Sequence, residues 1–385
     1  MSTFQFQSVA NIINGIDSLQ QLGTECKRLN IQRVLLVTDQ GILQQNLQQP
    51  ILQQLQQDDI DVIIYADVQA DPPEQIVELA VEFAKQQHID GVIGLGGGSS
   101  LDVAKLIAVL SHPQQTQKIQ EIYGIGQAQA PRLPLIQIPT TAGTGSEVTP
   151  IAIVTTGETT KSGVVAPILY ADSAILDARL TLNLPAHITA ATGIDAMVHA
   201  IEAFTSKHKK NPYSDMLAKQ ALQLLDQALP IVLQQPQNLQ ARQDMLFGAM
   251  LAGQAFANAP VAAVHALAYP LGGRCHLSHG HSNALVLPEV LKFNLPYATT
   301  HYAELMRCLQ PQGQADDATL AKQFIQHIQT VCENSGLTLK LSQLNIDANV
   351  LPTLAADAML QIRLLMNNPR DVSQADALAI YQAAY

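Results

Sequence analysis

The sequence predicts an N-terminal α/β unit built on a mainly parallel sheet, residues 1–184, followed by an all-helical unit, residues 185–385. Three observations predict it. The chain has 385 residues, more than one small domain needs, and its 47% hydrophobic content can fill two cores. Up to about Leu184, short apolar β-rich runs alternate with helical stretches, the pattern of a parallel sheet covered on both faces. Beyond Asn183-Leu184-Pro185 the strand signals vanish, and Ala, Leu and Gln recur at helical spacing to the C-terminus.

The elements follow in order. Val34–Asp39 is the first clear strand. A helical segment runs on to about Gln57, with Leu43, Leu47, Leu52 and Leu55 as its apolar face. Its glutamine pairs could signal a prion-like tract, but on that leucine background they read as exposed helix surface. Asp61–Tyr65 is a second strand. Asp71 then caps a helix with Pro72 at its first position and Ile76, Leu79, Ala80 and Phe83 as its stripe. Gly91–Leu95 is a third strand, followed by glycines and a helix from about Leu101. Pro134–Ile138 and Ile151–Val154 are further strands. In the helical half, Met245–Gly273 has no charged residue and is long enough to span a bilayer. Gln254, Asn258, Pro260, His265 and Pro270 interrupt it, so buried helices are expected instead of a membrane span.

Composition excludes several functions. A net charge of −11, with one small basic cluster at Lys207, Lys209 and Lys210, argues against nucleic acid as a partner. Cys26, Cys275, Cys308 and Cys332 are scattered, which suggests neither a cysteine zinc site nor a disulfide framework. Reduced thiols and the absence of a secretory pattern lead to an expected cytoplasmic location.

Three motifs carry chemistry. Gly94-Leu-Gly-Gly-Gly-Ser-Ser-Leu-Asp-Val-Ala-Lys105 sits where a strand turns into a helix. Its glycines admit close backbone approach, and the helix start favours a phosphate. An ordinary tight turn is the plain alternative. Asp102 is either a sugar-hydroxyl acceptor or half of a surface pair with Lys105. Pro139-Thr-Thr-Ala-Gly-Thr-Gly-Ser-Glu-Val-Thr-Pro150 crowds hydroxyls into a second loop after a strand. Such groups donate to phosphate and ribose oxygens, or bond their own backbone in turns. Ligands in open α/β sheets bind at the carboxyl ends of strands, where both loops belong. In the third motif, Asp195 and His199 are i and i+4 on a helix and share a face. His265, His276, His279 and His281 fall within seventeen positions. Imidazoles with a carboxylate suit Zn or Fe(II). Spacing alone does not choose among the four histidines, nor exclude satisfied core histidines.

Together, residues 96–105, 139–147 and 193–203, His265-Ala-Leu-Ala-Tyr-Pro-Leu-Gly-Gly and His279-Gly-His-Ser-Asn-Ala resemble the iron-containing, or group III, alcohol dehydrogenases. Asn368-Pro-Arg-Asp-Val and Ile380-Tyr resemble that family's tail. The resemblance runs nearly end to end. It implies a dehydroquinate-synthase-like fold and reversible oxidation of a small alcohol to its aldehyde or ketone with NAD. It implies a divalent metal, Fe(II) or Zn, held by Asp195, His199, His265 and His279. The NAD pyrophosphate would lie on Gly97, Gly98 and Ser99. Further contacts would come from Asp102, Thr140, Thr141, Thr144, Val148, Lys161 and Leu180. Asp39 matches the position beside the adenosine ribose. A homodimer or larger homo-oligomer is also implied. Two residues depart from the pattern. Tyr269 stands where many members have a histidine often proposed in proton transfer, and is expected to shape the pocket. Asp71 stands where many have asparagine.

Two other function classes remain. A dehydroquinate-synthase-like lyase would use NAD only transiently, and would need a basic pocket for an anionic substrate. A non-catalytic nucleotide- or metal-binding protein would show no turnover of short alcohols.

Overall fold

The structure, a computed structural model, describes residues 3–157, 160–312 and 315–385. It divides into two compact units. One is Ser8–Asn183; the other joins Leu184–Tyr385 with the segment up to Gln7.

The α/β unit contains β1 (Asn11–Asn14), α1 (Leu22–Arg28), β2 (Arg33–Val37), α2 (Gln40–Gln44), α3 (Gln49–Gln57), β3 (Asp61–Tyr65) and α4 (Glu74–Gln86). Then come β4 (Gly91–Gly96), α5 (Gly98–Leu110), β5 (Gly124–Ile125), β6 (Leu135–Pro139), β7 (Ile151–Thr156), β8 (Thr160–Val165) and β9 (Ser173–Leu176). Six strands form a parallel sheet in the order β1-β9-β6-β4-β2-β3. Its central strands are apolar because both faces are covered: β4 and β6 are buried throughout. Val34, Leu36, Ile93, Leu95, Ile136 and Ile138 pack in one core with Leu22, Ile51 and Leu55 from the helices. After β2 the chain passes to β3 on one side of the sheet; after β4 it passes to β6 on the other. The carboxyl ends of β2 and β4 therefore flank the point where strand order reverses, the place where open α/β sheets form a ligand crevice.

Several expectations need correction. The strand expected at Ile151–Val154 is β7, and it lies outside the parallel sheet, antiparallel to β8 with β5 beyond. Ala152 and Val154 are buried while Ile151 and Ile153 are only partly so, as suits a strand covered on one face. The helix expected to run to Gln57 is two helices, broken where Asn46 takes a left-handed φ of 57°. Asp71 is no helix cap. It has a φ of 49°, and α4 starts three residues later behind Pro73, with no side-chain cap. The stripe on α4 is Val77, Ala80, Val81 and Ala84, spaced i, i+3, i+4 and i+7, while Leu79 is exposed. Finally, α5 begins at Gly98 with Gly97 as its N-cap, three residues before the expected start at Leu101.

The helical unit contains α6 (Ala186–Thr205), α7 (Pro212–Gln234), α8 (Leu239–Asn258), α9 (Ala263–Cys275), α10 (His279–Leu309), α11 (Asp317–Asn334), α12 (Leu351–Ala358), α13 (Ile362–Leu365) and α14 (Gln374–Ala384). From Thr189 onward α6 is buried on nearly every side, which makes it the central helix. The uncharged stretch is split into α8 and α9, whose axes bend by 106° around Pro260. Among the described residues, no single helix is long and apolar enough to cross a membrane. The segment before Ser8 is clipped to this unit. Gln7 exchanges two hydrogen bonds of 2.8 Å with the Asn258 side chain, and Phe4 and Phe6 lie against Tyr213.

Candidate metal centre and nucleotide loops

Asp195 and His199 project from the central helix α6, one turn apart. Across from them the chain enters α10 at His279, and the next residue explains how closely. A Cβ on Gly280 would stand 2.3 Å from the Ala191 carbonyl oxygen, so only glycine lets this turn rest on α6. His265 comes from the first turn of α9.

Asp195 Oδ1 lies 3.9 Å from His199 Nε2, 3.8 Å from His265 Nε2 and 3.5 Å from His279 Nε2. One donor atom from each of the four residues falls within 4.8 Å of every other. Three of the residues are buried and His279 is half-buried. The rings of His199 and His265 stack at 4.8 Å, with Phe256 against His199 at 4.4 Å. Tyr269 lies one turn beyond His265, its ring 5.8 Å from that of His279. Burial pushes the Asp195 carboxyl up, but the three histidines and Asn283 outweigh it and leave it below the ordinary range.

This set fits a divalent cation. Asn283 Nδ2 donates to Asp195 Oδ1 at 2.5 Å and also lies 3.4 Å from His265 Nε2 and 3.3 Å from His279 Nε2. One amide has two hydrogens for these three acceptors. Acceptor atoms crowded together in a buried place are costly, and a cation removes the cost. Three imidazoles with one carboxylate suit Fe(II) or Zn. His276 and His281 stand outside the cluster: His276 ends α9 with a left-handed φ of 54°, and His281 Nε2 is 2.6 Å from the Thr338 carbonyl oxygen.

In the α/β unit, the glycine loop and the second loop meet at the reversal point of the sheet. Gly96 has a φ of 147°, and a Cβ on Gly98 would lie 2.8 Å from Thr144. That contact requires glycine at the start of α5, whose first amides then point outward for an anion. Thr141 borders Gly97. Asp39 caps α2 by accepting from Ile42 N at 3.1 Å, and its second oxygen accepts from Ser100 Oγ at 3.2 Å. Ser99 Oγ accepts from Asp71 N at 3.3 Å, and Asp71 pairs with Lys161 at 2.5 Å. Thr140 and Val148 are buried, and Leu180 packs in the core of the sheet.

Asp102 and Lys105 are no surface pair. Lys105 is fully buried, and its amine, with three hydrogens, lies within 3.3 Å of an Asp102 oxygen, Ser146 Oγ, Thr149 Oγ1 and the Ile151 carbonyl. Asp102 also accepts from Ser146 Oγ at 2.6 Å and Ile153 N at 2.9 Å. Together they pin the second loop and β7 to α5. Burial holds the Lys105 amine below its ordinary range, against the pull of Asp102.

Burial in the same loop pushes the Glu147 carboxyl up to about 7 from an ordinary 4.5, against the pull of its own backbone amide and Lys105. The folded state thus holds this proton more tightly than the unfolded chain. The stabilisation is complete below the ordinary value and is lost as pH rises through the folded one. At about 1.36 kcal/mol per unit, the swing is ~3 kcal/mol. Glu147→Gln is therefore expected to melt with the native protein near pH 5 and above it near pH 8. A melting difference that does not change with pH would refute this.

Glu202 and Asn283 were not singled out from sequence. Glu202 is half legible, since it continues the Asp195–His199 stripe at i+7. Asn283 lies one turn past His279 on α10 and carried no such signal.

Residues 10–178 match the family described as iron-containing alcohol dehydrogenase, and residues 189–385 match the C-terminal part of the Fe-containing alcohol dehydrogenase family. Long-chain-alcohol dehydrogenase 1 of Geobacillus thermodenitrificans (strain NG80-2) is 40% identical, covering 96% of this chain and 94% of that protein. The crystal structure of a 1,3-propanediol oxidoreductase superposes with a TM-score of 0.96 at 30% identity over all of both chains. The sulfoacetaldehyde reductase of Bifidobacterium kashiwanohense, solved with NAD+, does so with a TM-score of 0.89 at 26% identity, covering 100% of this chain and 99% of that one.

Proposed function

Because the chain belongs to the iron-containing alcohol dehydrogenase family, we propose that Asp195, His199, His265 and His279 hold the divalent metal of its reaction. The protein is an NAD-dependent oxidoreductase that interconverts a small alcohol and its aldehyde or ketone. The observation that carries the site is the convergence of four donor atoms within 4.8 Å on three helices. Fe(II) is the expected ion, with Zn the alternative.

When bound, the metal supplies a Lewis acid for the alcohol oxygen and the nicotinamide takes the hydride. The chain's own residues do the rest. The first-turn amides of α5 at Gly97, Gly98 and Ser99 receive the pyrophosphate, and Asp39 accepts from the ribose. Thr140, Thr141 and Thr144 offer hydroxyl donors beside it. Asp102, Val148, Lys161 and Leu180 complete the proposed NAD surroundings, Asp102 by pinning the second loop and Leu180 from the core of the sheet.

A phenol ordinarily titrates near 10 and an imidazole near 6.5, so Tyr269 is a poor proton relay near neutrality. Tyr269→Phe is expected to keep most of the kcat. A loss of roughly two orders of magnitude with substrate binding unchanged, the scale of general acid–base catalysis, would assign it a proton instead.

Net NADH formation from a panel of short alcohols, diols and hydroxy acids, using iron-loaded protein, tests the function. A lyase that uses NAD transiently would form none. Four free cysteines favour a reducing, cytoplasmic location, tested by fractionation. The proposed dimer or larger homo-oligomer is tested by sedimentation.

A further inference from the structure

Glu202 lies seven residues after Asp195 and three after His199, on the same stripe of α6. It is 3% exposed. Its Oε1 accepts from Val264 N at 2.6 Å, and its Oε2 accepts from Ala262 N at 2.9 Å and lies 2.7 Å from His265 Nδ1. Ala262 is the N-cap of α9 and has no side-chain oxygen with which to cap it. Glu202 therefore caps α9 from another helix, where the amide ends of the helix dipole favour a carboxylate.

The same contacts decide which ring nitrogen of His265 carries hydrogen. Both oxygens of Glu202 accept from backbone N–H groups of this turn, the arrangement of a carboxylate, which is acceptor-only. His265 Nδ1 must then be the donor. The lone pair is left on Nε2, the atom 3.8 Å from Asp195 Oδ1. A carboxylate behind a histidine fixes tautomer and ring direction and makes the imidazole a better base for a metal.

We infer that Glu202 is a positioning residue for a divalent cation: it docks the first turn of α9 and, by the same two oxygens, aims His265 Nε2 into the Asp195–His199–His279 cluster. The inference rests on the metal-centre reading above. Docking and aiming are one event here, because Ala262, Val264 and His265 share a single turn. Glu202 is not one of the four residues whose donor atoms converge within 4.8 Å, so it acts on the ion only through His265.

The test is a titration of chelator-stripped protein with Co(II), following the visible absorption of the bound ion, below the melting temperature of each metal-free protein. Native protein, Glu202→Gln and Glu202→Ala are compared. Glu202→Ala is expected to bind Co(II) roughly 10- to 100-fold more weakly, the usual cost of losing a histidine's carboxylate partner, with an altered spectrum. Glu202→Gln should fall between it and the native protein, because its amide oxygen still accepts from some of these donors. It also preserves side-chain size, so it reads the effect if the alanine variant does not fold. Lower melting temperatures with unchanged Co(II) affinity in the folded variants would make Glu202 a helix cap only and overturn the inference. Native protein that takes up no Co(II) would overturn the metal centre, and the inference with it.

Discussion

Replacing His265 by alanine is expected to remove both the metal and the turnover. The imidazole stacks on His199 at 4.8 Å and lies 5.2 Å from the His279 ring, so its loss opens a gap in the middle of the cluster. It also takes away one of the three groups that contact the buried Glu202 carboxylate, leaving the backbone amides of Ala262 and Val264. His199→Ala should do the same, since it deletes a donor atom from the helix that carries Asp195. A metal acting as a Lewis acid supplies several kcal/mol of transition-state stabilisation. At about 1.36 kcal/mol per decade, its loss lowers kcat/KM by roughly a thousandfold or more. His276→Ala and His281→Ala are the controls and should keep their metal, because His276 closes α9 and His281 faces Thr338. Metal per chain and turnover in all four variants are the measurements. Full occupancy in the His265 variant would refute the assignment.

Asp39→Gly is expected to move cofactor preference from NAD toward NADP. Asp39 stands at the carboxyl end of β2, on the reversal point of the sheet. Two of its lone-pair sites are taken by Ile42 N and Ser100 Oγ, and a carboxylate has about four, so a ribose hydroxyl still finds an acceptor. The additional phosphate of NADP would bring about two negative charges to the same place. Two unit charges at about 4 Å repel by ~1 kcal/mol in bulk water and by ~4 kcal/mol near a protein surface. At about 1.4 kcal/mol per decade, discrimination of at least tenfold follows. The capping role of Asp39 does not spoil the experiment, since glycine in place of an N-cap carboxylate costs only a few tenths of a kcal/mol. The ratio of kcat/KM for the two cofactors in both proteins is the readout. A native preference for NADP, or an unchanged ratio, would release Asp39 from this role.

The two-part layout was legible because its signals are long. β2, β3, β4 and β6 are five- or six-residue strands rich in apolar residues, and the helical half repeats one texture for some two hundred positions. β1 and β9 span only four residues each, too few for a period to show. The start of α5 was hidden for another reason. Glycine is a poor helix former, so local propensity argues against a first turn at Gly98. The space beside Thr144 decides it instead, and that neighbour is 46 residues away in sequence. Likewise Asp71, read locally as a helix cap, is drawn off by Lys161. At the metal cluster, spacing narrowed the ligands to a helix pair and four histidines. The family resemblance singled out His265 and His279. Glu202 and Asn283 act across separations of 63 and 88 residues, beyond what a local pattern can carry.

The clip at Gln7 has a consequence for how the chain is made. Its partner Asn258 lies 251 positions downstream, so Gln7 cannot settle until α8 has been made. Ser8–Asn183 holds all six strands of its main sheet and can condense while synthesis continues. Phe4 and Phe6 must wait for α7, and Gln7 for α8. Until then two aromatic side chains trail from a folding chain without their resting surface.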